Sequence, residues 1–237
     1  MIAIVSSTVA PSDLPSHDGA RTTLTPEVRL EQTQGTIASL VALGAREIFL
    51  ADNSTSNWLR DHAAALAPAH ILPFSQPPIC NKGIGEMWLL LGALPSLPEN
   101  EPILKISGRY RVGLGTGLRL RDGDDVAGKV YLHGRLHSLS TRCYLMRDRA
   151  VAARLWQRTL DEIYAEQARI HGPRSLLRIL LSSLRPGRDT LRYGDPTAAV
   201  ETAIYNAIRY LPLRLHEVEH LDVEGILGSW INPVVKE

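Results

Sequence analysis

The chain has 237 residues, of which 44% are apolar and 22% charged, and its formal net charge is +1. This is the composition of an ordinary soluble globular protein, and the length suits one α/β domain. It excludes a strong global field for nucleic acid, and no run of about 18 apolar residues offers a membrane-spanning helix.

The opening stretch MIAIVSSTVAPS has no basic segment ahead of its short apolar run, so it reads as a first strand and not as a leader. Ile2–Val5 is that strand, followed by a Pro/Ser/Asp-rich loop through Thr25. Pro26 sits where the first turn of a helix tolerates it, with Thr25 as its cap. The helix places Leu30, Thr33, Ile37, Leu40 and Val41 on one face and stops at Gly44.

EIFLADNSTS predicts a second strand ending at Asp52-Asn53, and NWLRDHAAALA a helix with Ser56 as candidate cap. AHILPFS is a third strand, NKGIGEMWLLLGALPSL a third helix, and PILKISGRYRV a fourth strand. Short apolar strands alternating with amphipathic helices imply a parallel sheet covered on both faces. Ligands of such sheets collect at the carboxyl ends of the strands.

After residue 112 the alternation breaks. Extended segments over 113–146 are expected to be joined by a turn at Asp122–Asp125, followed by a helix over about 148–170. A basic helical segment, GPRSLLRILLSSLRPGRD, ends at Pro186-Gly187. Asp195-Pro196 opens a further helix through about Leu211, and the tail alternates polar and apolar residues. Cys80 and Cys143 have no metal-ligand spacing and read as buried free thiols of a reducing compartment.

Four stretches bear on function. VGLGTG at 112–117 follows a strand, but no helix follows it to offer free N–H groups, so it is not a dinucleotide-binding turn. Asp52 ends a strand where a carboxylate can accept from a ribose hydroxyl or a base N–H, with Asn53 and Ser54 in the turn; a plain Asx turn is the alternative. Asn81 and Lys82 precede a helix whose positive end favours phosphate, unless Lys82 is simply a solvated lysine. ILKISGRYRV places Lys105, Arg109 and Arg111 within seven residues. Cations on a buried strand need an anion, either a ligand or structural carboxylates such as Glu86 or Glu201.

Taken together, RLEQTQGTIASL, DNSTS, NKGIGEMWLLLGAL and KISGRYRV resemble a group of bacterial polysaccharide-type glycosyltransferases of the GT-A fold. STRCYLM, ETAIYNAI and HLDVEGILG fit its second half more loosely. The resemblance implies a GT-A-like, mostly parallel α/β sheet with helices on both faces and C-terminal helices. It implies a single domain over 1–237, with 1–112 the nucleotide half and 113–237 the acceptor side. It also implies transfer of a sugar from a nucleotide-diphosphate donor to a bacterial glycan or lipid-linked acceptor.

Most GT-A enzymes place Asp-x-Asp at the fourth strand end, where it holds a divalent cation. This chain has Lys105-Ile-Ser-Gly-Arg109-Tyr110-Arg111 there. Guanidinium groups can neutralise a leaving diphosphate as a metal does. The expectation is a transferase with no cofactor, a divalent cation being allowed for but not favoured. Arg109, helped by Lys105 or Lys82, would face the diphosphate, and Gly108 would let the backbone come close to the ligand. Thr8, Asp52 and Asn53 would meet the nucleoside, while Asn81, Tyr110 and Arg111 complete the donor side.

Glu201 and Tyr205 lie four apart on a half-buried helix; Glu201 is the candidate base and Tyr205 a candidate substrate contact, a structural pair being the alternative. Asp125, His216 and His220 are weaker candidates. The carboxylate cluster Asp122, Asp124 and Asp125 fits a solvated turn better than a cation site. The expected location is the cytoplasm; the basic helix over 174–188 either touches the inner membrane or packs on the sheet with snorkelling arginines. No nucleic-acid partner is expected. Two rivals stand: a nucleotidyltransferase on a related sheet, whose loop after the first strand is usually rich in Gly, Arg and Lys where this chain has SSTVAPSDLPSHDGA, and a non-catalytic nucleotide-sugar-binding partner protein.

Overall fold

The computed structural model describes residues 1–11, 24–54, 58–75, 81–133, 136–168, 173, 177, 199–226 and 234–237. The first strand, β1 (Ile2–Ser7), is followed by helix α1 (Pro26–Ala42), β2 (Ile48–Asp52), a short helix α2 (Trp58–Asp61) and β3 (His70–Pro73). Helix α3 (Lys82–Ala93) leads into β4 (Ile103–Ser107) and the short β5 (Tyr110–Val112). The ribbon β6 (Val126–His133) and β7 (Leu136–Met146) precedes α4 (Arg149–Ala168). Helix α5 (Val200–Tyr210), β8 (Leu215–Glu217), β9 (Val223–Ile226) and β10 (Val234–Lys236) follow.

Seven strands form one sheet in the order β3-β2-β1-β4-β7-β6-β8. β1 pairs in parallel with both β2 and β4, and β2 with β3, so the first half of the chain is a parallel sheet as the alternation requires. β7 enters antiparallel beside β4, which makes the whole sheet mixed. The strand interiors are continuous apolar runs because both faces are covered. One face carries Ile37 and Leu40 of α1, and the other carries α3, α4 and α5 through Ile84, Met87, Trp156 and Ile204. Each of these large side chains contributes roughly 1.5–3 kcal/mol by leaving water.

The predicted fourth strand divides in two. β4 ends at Ser107, and Tyr110–Val112 belong to a separate three-stranded sheet, β10-β9-β5. Gly108 marks the break. Its N–H donates to the Ser6 carbonyl (2.9 Å), and a Cβ there would lie 3.1 Å from the Ser7 Cβ, so the chain turns where only glycine fits without pressure.

The second half departs further from expectation. The turn at Asp122–Asp125 does not join two strands; no ladder forms over 113–125, and the antiparallel pair is β6 with β7, both of which lie after it. Asp124 accepts from the Arg121 N–H, and buried Asp125 holds the Arg214 N–H (2.8 Å) and the Arg147 guanidinium (2.7 Å). The cluster is thus a structural turn. The helix expected over about 148–170 is α4, and that expected through about Leu211 is α5. Of the basic segment 174–188 only residue 177 is described, and Cys80 lies outside the described residues. Cys143 is buried, and burial pushes its thiol up to about 12, the nearby Lys105 notwithstanding. Among the described residues no helix is long and apolar enough to cross a membrane.

Candidate functional site

The carboxyl ends of β1, β2 and β4 meet at one edge, with the N-terminus of α3 beside them. Lys105 lies in β4 with its side chain fully buried, and its Nζ sits 2.6 Å from Glu86 Oε1 on α3. The same ammonium donates to the Thr141 carbonyl of β7 and to Ser107 Oγ (3.2 Å), and it lies 5.6 Å from the centroid of the Tyr144 ring. Ser6 Oγ donates to Glu86 Oε1 at 2.7 Å. Burial pushes the Glu86 carboxyl up, but the charge and hydrogen bond of Lys105, the Ser6 hydroxyl and the charge of Arg109 outweigh it and hold the group below its ordinary value. Of the two alternatives for Lys105, its ammonium meets Glu86.

The row continues to Glu201. Thr141, whose carbonyl receives Lys105, donates its hydroxyl to Glu201 Oε1 at 3.3 Å. Tyr205, one turn along α5, stacks on His137 of β7 with ring centroids 5.1 Å apart. The two carboxylates on different helices therefore flank one buried lysine. Glu201 lies at the same edge as Arg109. Asp125 and His216 lie at the opposite, amino edge, where β6 begins beside β8, and so stand apart from the rest.

Arg109 follows the Gly108 turn and is half-buried. Its guanidinium carbon lies 5.9 Å from the centroid of the Tyr110 ring, and Arg142 approaches the same ring at 5.7 Å. Tyr110 is 2% exposed, so its ring packs beside both cations and presents almost no surface of its own. Arg142 is paired with Glu237, whereas no carboxylate forms an ion pair with Arg109 among the described residues. Arg111 projects the other way, over Gly35 of α1, because it alternates with Tyr110 along β5.

A second arginine joins Arg109 from α1. Arg29 Nε donates to the Thr8 carbonyl at 2.6 Å. Burial, and then the like charge of Arg109, push Arg29 down to about 10 against the opposing pull of Asp52. It stays protonated at neutral pH, so two guanidiniums repel each other at the sheet edge. Sequence reasoning missed Arg29: an arginine in the first turns of an amphipathic helix looks like any solvated one.

The other predicted residues take defined places. Asp52 is 1% exposed; one carboxylate oxygen accepts from the Val9 N–H (3.0 Å) and the other from the Ser54 N–H (2.7 Å). It thereby ties the loop after β1 to the loop after β2, combining the Asx turn with a cross-strand clasp. Thr8 donates its hydroxyl to the Asn53 side-chain carbonyl, which brings those two half-buried residues to one spot. Asn81 caps α3, its Oδ1 accepting from Gly83 N (2.9 Å) and Ile84 N (3.2 Å), so those two helix donors are already occupied. Lys82 opens the helix and is exposed. Gly108 comes close to Ser7 and Thr33, and its carbonyl accepts from Thr33 Oγ1 at 3.1 Å.

No protein-family model matches the chain, and no curated protein matches it either. Among solved structures, a nucleoside-diphosphate-sugar pyrophosphorylase from Vibrio cholerae RC9 superposes over 97% of this chain and 96% of its own, with a TM-score of 0.50 and 12% identity. The fold is GT-A-like. The parallel β3-β2-β1-β4 half, the antiparallel β7 and the helices on both faces make up that architecture, which is the fold class expected from the sequence. Two crystal structures of LgtC align with 94% of this chain and 86% of theirs at 8% identity. One is an active-site mutant (TM-score 0.47), the other the galactosyltransferase LgtC in complex with donor and acceptor sugar analogues (TM-score 0.44). Among the described residues no cluster of three or more His, Cys, Asp or Glu side chains is arranged to hold a metal ion.

Proposed function

We propose that this chain is a glycosyltransferase that moves a sugar from a nucleotide-diphosphate donor to a hydroxyl of a glycan or lipid-linked acceptor, and that residues 1–237 act as one domain. The reading rests above all on one observation: Arg109, after the Gly108 turn, and Arg29, held on the Thr8 carbonyl, both stand at the carboxyl edge of a GT-A-like sheet, Arg109 without a carboxylate ion pair among the described residues. Two half-buried guanidiniums held against their own repulsion await an anion, and a diphosphate offers oxygens to both.

In the reaction the bond from the anomeric carbon to the diphosphate breaks, and a bond to the acceptor oxygen forms. The nucleoside diphosphate leaves with the electron pair, and the acceptor proton passes to a base. Arg109 and Arg29 take up the charge that develops on the leaving group, the task that a divalent cation performs in most enzymes of this fold. Thr8 and Asn53 meet the nucleoside, with Asp52 holding their loops in place. Lys82 stands exposed at the first turn of α3 and reaches the outer phosphate. Glu86 already accepts from Lys105 and Ser6, so Glu201, oriented by Thr141, carries the base role. Lys105 acts as a positioning residue through Glu86 and Thr141. The chain would work in the cytoplasm on bacterial surface glycans.

The test is a panel of nucleotide-diphosphate sugars with and without a chelator, monitoring release of nucleoside diphosphate. Release that survives chelation and vanishes in Arg109→Ala supports the reading. Pyrophosphate formed from a nucleoside triphosphate and a sugar 1-phosphate would instead make the chain a nucleotidyltransferase. Tight diphosphate binding with no turnover on any donor would make it a binding protein.

A further inference from the structure

We propose that Gln32 of α1 reads two neighbouring hydroxyls of the sugar that the donor carries. The side-chain Nε2 and Oε1 of Gln32 are both buried, and neither has a hydrogen-bond partner among the described residues. A carboxamide is at once donor and acceptor, and native proteins rarely bury either group unpaired without a reason. Gln32 as a whole keeps partial exposure, so its stem borders solvent while the amide is turned inward.

Spacing along α1 fixes where that amide stands. Gln32, Gly35 and Ser39 are separated by three and four residues and share one flank of the helix. This flank packs on β5: the Arg111 guanidinium lies over Gly35, and the Val112 N–H donates to Ser39 Oγ at 3.2 Å. The other flank faces β2 and β3, because Gln34 Nε2 donates at 3.0 Å to the Ala65 carbonyl in the connection between those strands. Height comes from the next residue, Thr33, whose hydroxyl donates to the Gly108 carbonyl at 3.1 Å. Gln32 therefore lies at the carboxyl edge, one turn from Arg29 and level with the turn that carries Arg109. It is on the β5 flank, away from Asn53 at the end of β2.

The choice of ligand rests on the transferase reading, which puts the nucleoside at Thr8 and Asn53 and the diphosphate at Arg29 and Arg109. Beyond the diphosphate comes the sugar. A phosphate offers only acceptors, which would satisfy Nε2 and leave Oε1 bare. Adjacent hydroxyls on a sugar ring supply both partners: one donates to Oε1 while its neighbour accepts from Nε2. A nucleobase edge also sets a donor beside an acceptor, but the nucleoside end lies toward β2, on the far flank of α1. A sugar lacking either hydroxyl leaves the buried amide partly unpaired, so the position discriminates between donors.

The test is calorimetric titration of the full chain with uridine and guanosine diphosphates and with UDP-glucose, UDP-galactose and GDP-mannose. Wild type is expected to bind one of the sugar conjugates more tightly than its bare diphosphate. Gln32→Met keeps the length and drops the polar group. It is expected to bind the bare diphosphate within about two-fold of wild type and to lose about ten-fold on that conjugate, the scale of two neutral hydrogen bonds. Deoxy analogues of the conjugate, each lacking one hydroxyl, are expected to weaken wild type at two adjacent positions and to leave Gln32→Met unaffected there, the coupling of a direct contact. The variant is expected to melt at or above the wild-type temperature, because it removes an unpaired amide and strands no partner.

A variant that melts well below wild type shows a structural amide and overturns the proposal. An equal loss on bare diphosphate and conjugate also overturns it, by placing the amide on the nucleotide, as do deoxy analogues that weaken both proteins alike. Conjugates that bind wild type no better than the bare diphosphate overturn it and leave the diphosphate site standing. Wild type that binds no nucleoside diphosphate overturns the transferase reading, and the proposal falls with it.

Discussion

Lys105 Nζ and Glu86 Oε1 lie 2.6 Å apart, with the lysine fully buried and Glu86 retaining 20% exposure. Removing the lysine leaves a largely buried carboxylate with the Ser6 hydroxyl and the charge of Arg109 among the described residues, together with a Thr141 carbonyl that has lost its ammonium donor. Lys105→Met is therefore expected to cost about 3 kcal/mol in urea unfolding, the scale for breaking a buried pair. Lys105→Met combined with Glu86→Leu is expected to recover most of that loss, because no uncompensated charge remains. A loss below about 1 kcal/mol in the single variant would show that the pair does not hold β4 to α3.

The same pair sets an acid limb. Lys105, Ser6 and Arg109 hold Glu86 below its ordinary value despite burial, so the folded state binds that proton less readily than the unfolded one. The stability so contributed is fully present above the unfolded pKa, near 4.5, and is lost as pH falls through the lower folded value. Glu86→Gln removes the titration. Its melting temperature is expected to fall less steeply than that of wild type between pH 5 and the acid transition, a window set by the direction of the shift. Parallel acid limbs in the two proteins would mean that Glu86 titrates as an ordinary carboxylate.

The alternation of strand and helix made the first half of the fold legible, because buried parallel strands must be continuously apolar and their helices amphipathic. The arrangement of Lys105 was not legible to the same degree. A lysine in an apolar strand looks the same whether a ligand or a carboxylate meets it, and Glu86 reaches it from another element. Arg29 left no local signal at all. In the second half, turn chemistry misled: Asp122–Asp125 is a turn, but Leu118 and Leu120 ahead of it pack on the core without a ladder partner. The true closure of the ribbon lies beyond it. The division of β4 from β5 was written in Gly108, though only the contacts of that glycine with Ser7 and Thr33 show why the chain must turn there.

Arg109 and Arg29 repel each other, and this separates function from stability at one residue. Arg109→Ala removes a charge that forms no carboxylate ion pair among the described residues, and it relieves Arg29 while giving up a weaker attraction to Glu86. The variant is expected to melt at or slightly above the wild-type temperature, a change of at most about 1 kcal/mol. Its affinity for a nucleoside diphosphate, measured by calorimetry, is expected to fall by about ten- to a hundred-fold, the scale of lost charged hydrogen bonds. Arg109→Lys keeps the charge without the planar fork and is expected to fall between the two. A variant that melts well below wild type would show that Arg109 is structural.

Gly225 offers a way to move Arg109 without changing it. β9 pairs with β5 so that Gly225 lies opposite Tyr110, and a Cβ on Gly225 would stand 2.5 Å from Tyr110 Cδ1. The Arg109 carbonyl lies nearer still to that position. Neither neighbour is the free end of a flexible chain, so the backbone carrying Arg109 has to retreat. Gly225→Ala is expected to cost about 2–3 kcal/mol through overpacking and to weaken diphosphate binding as well. Gly108→Ala is the control. Its Cβ would meet Ser7 at 3.1 Å, a milder contact expected to cost about 1 kcal/mol. Per unit of lost stability, Gly225→Ala is expected to lose more affinity than Gly108→Ala, because its clash falls on the carbonyl of Arg109, the proposed diphosphate ligand. If Gly225→Ala is destabilised yet binds diphosphate as wild type does, β9 does not position Arg109, and the small sheet holds the fold together without shaping the site.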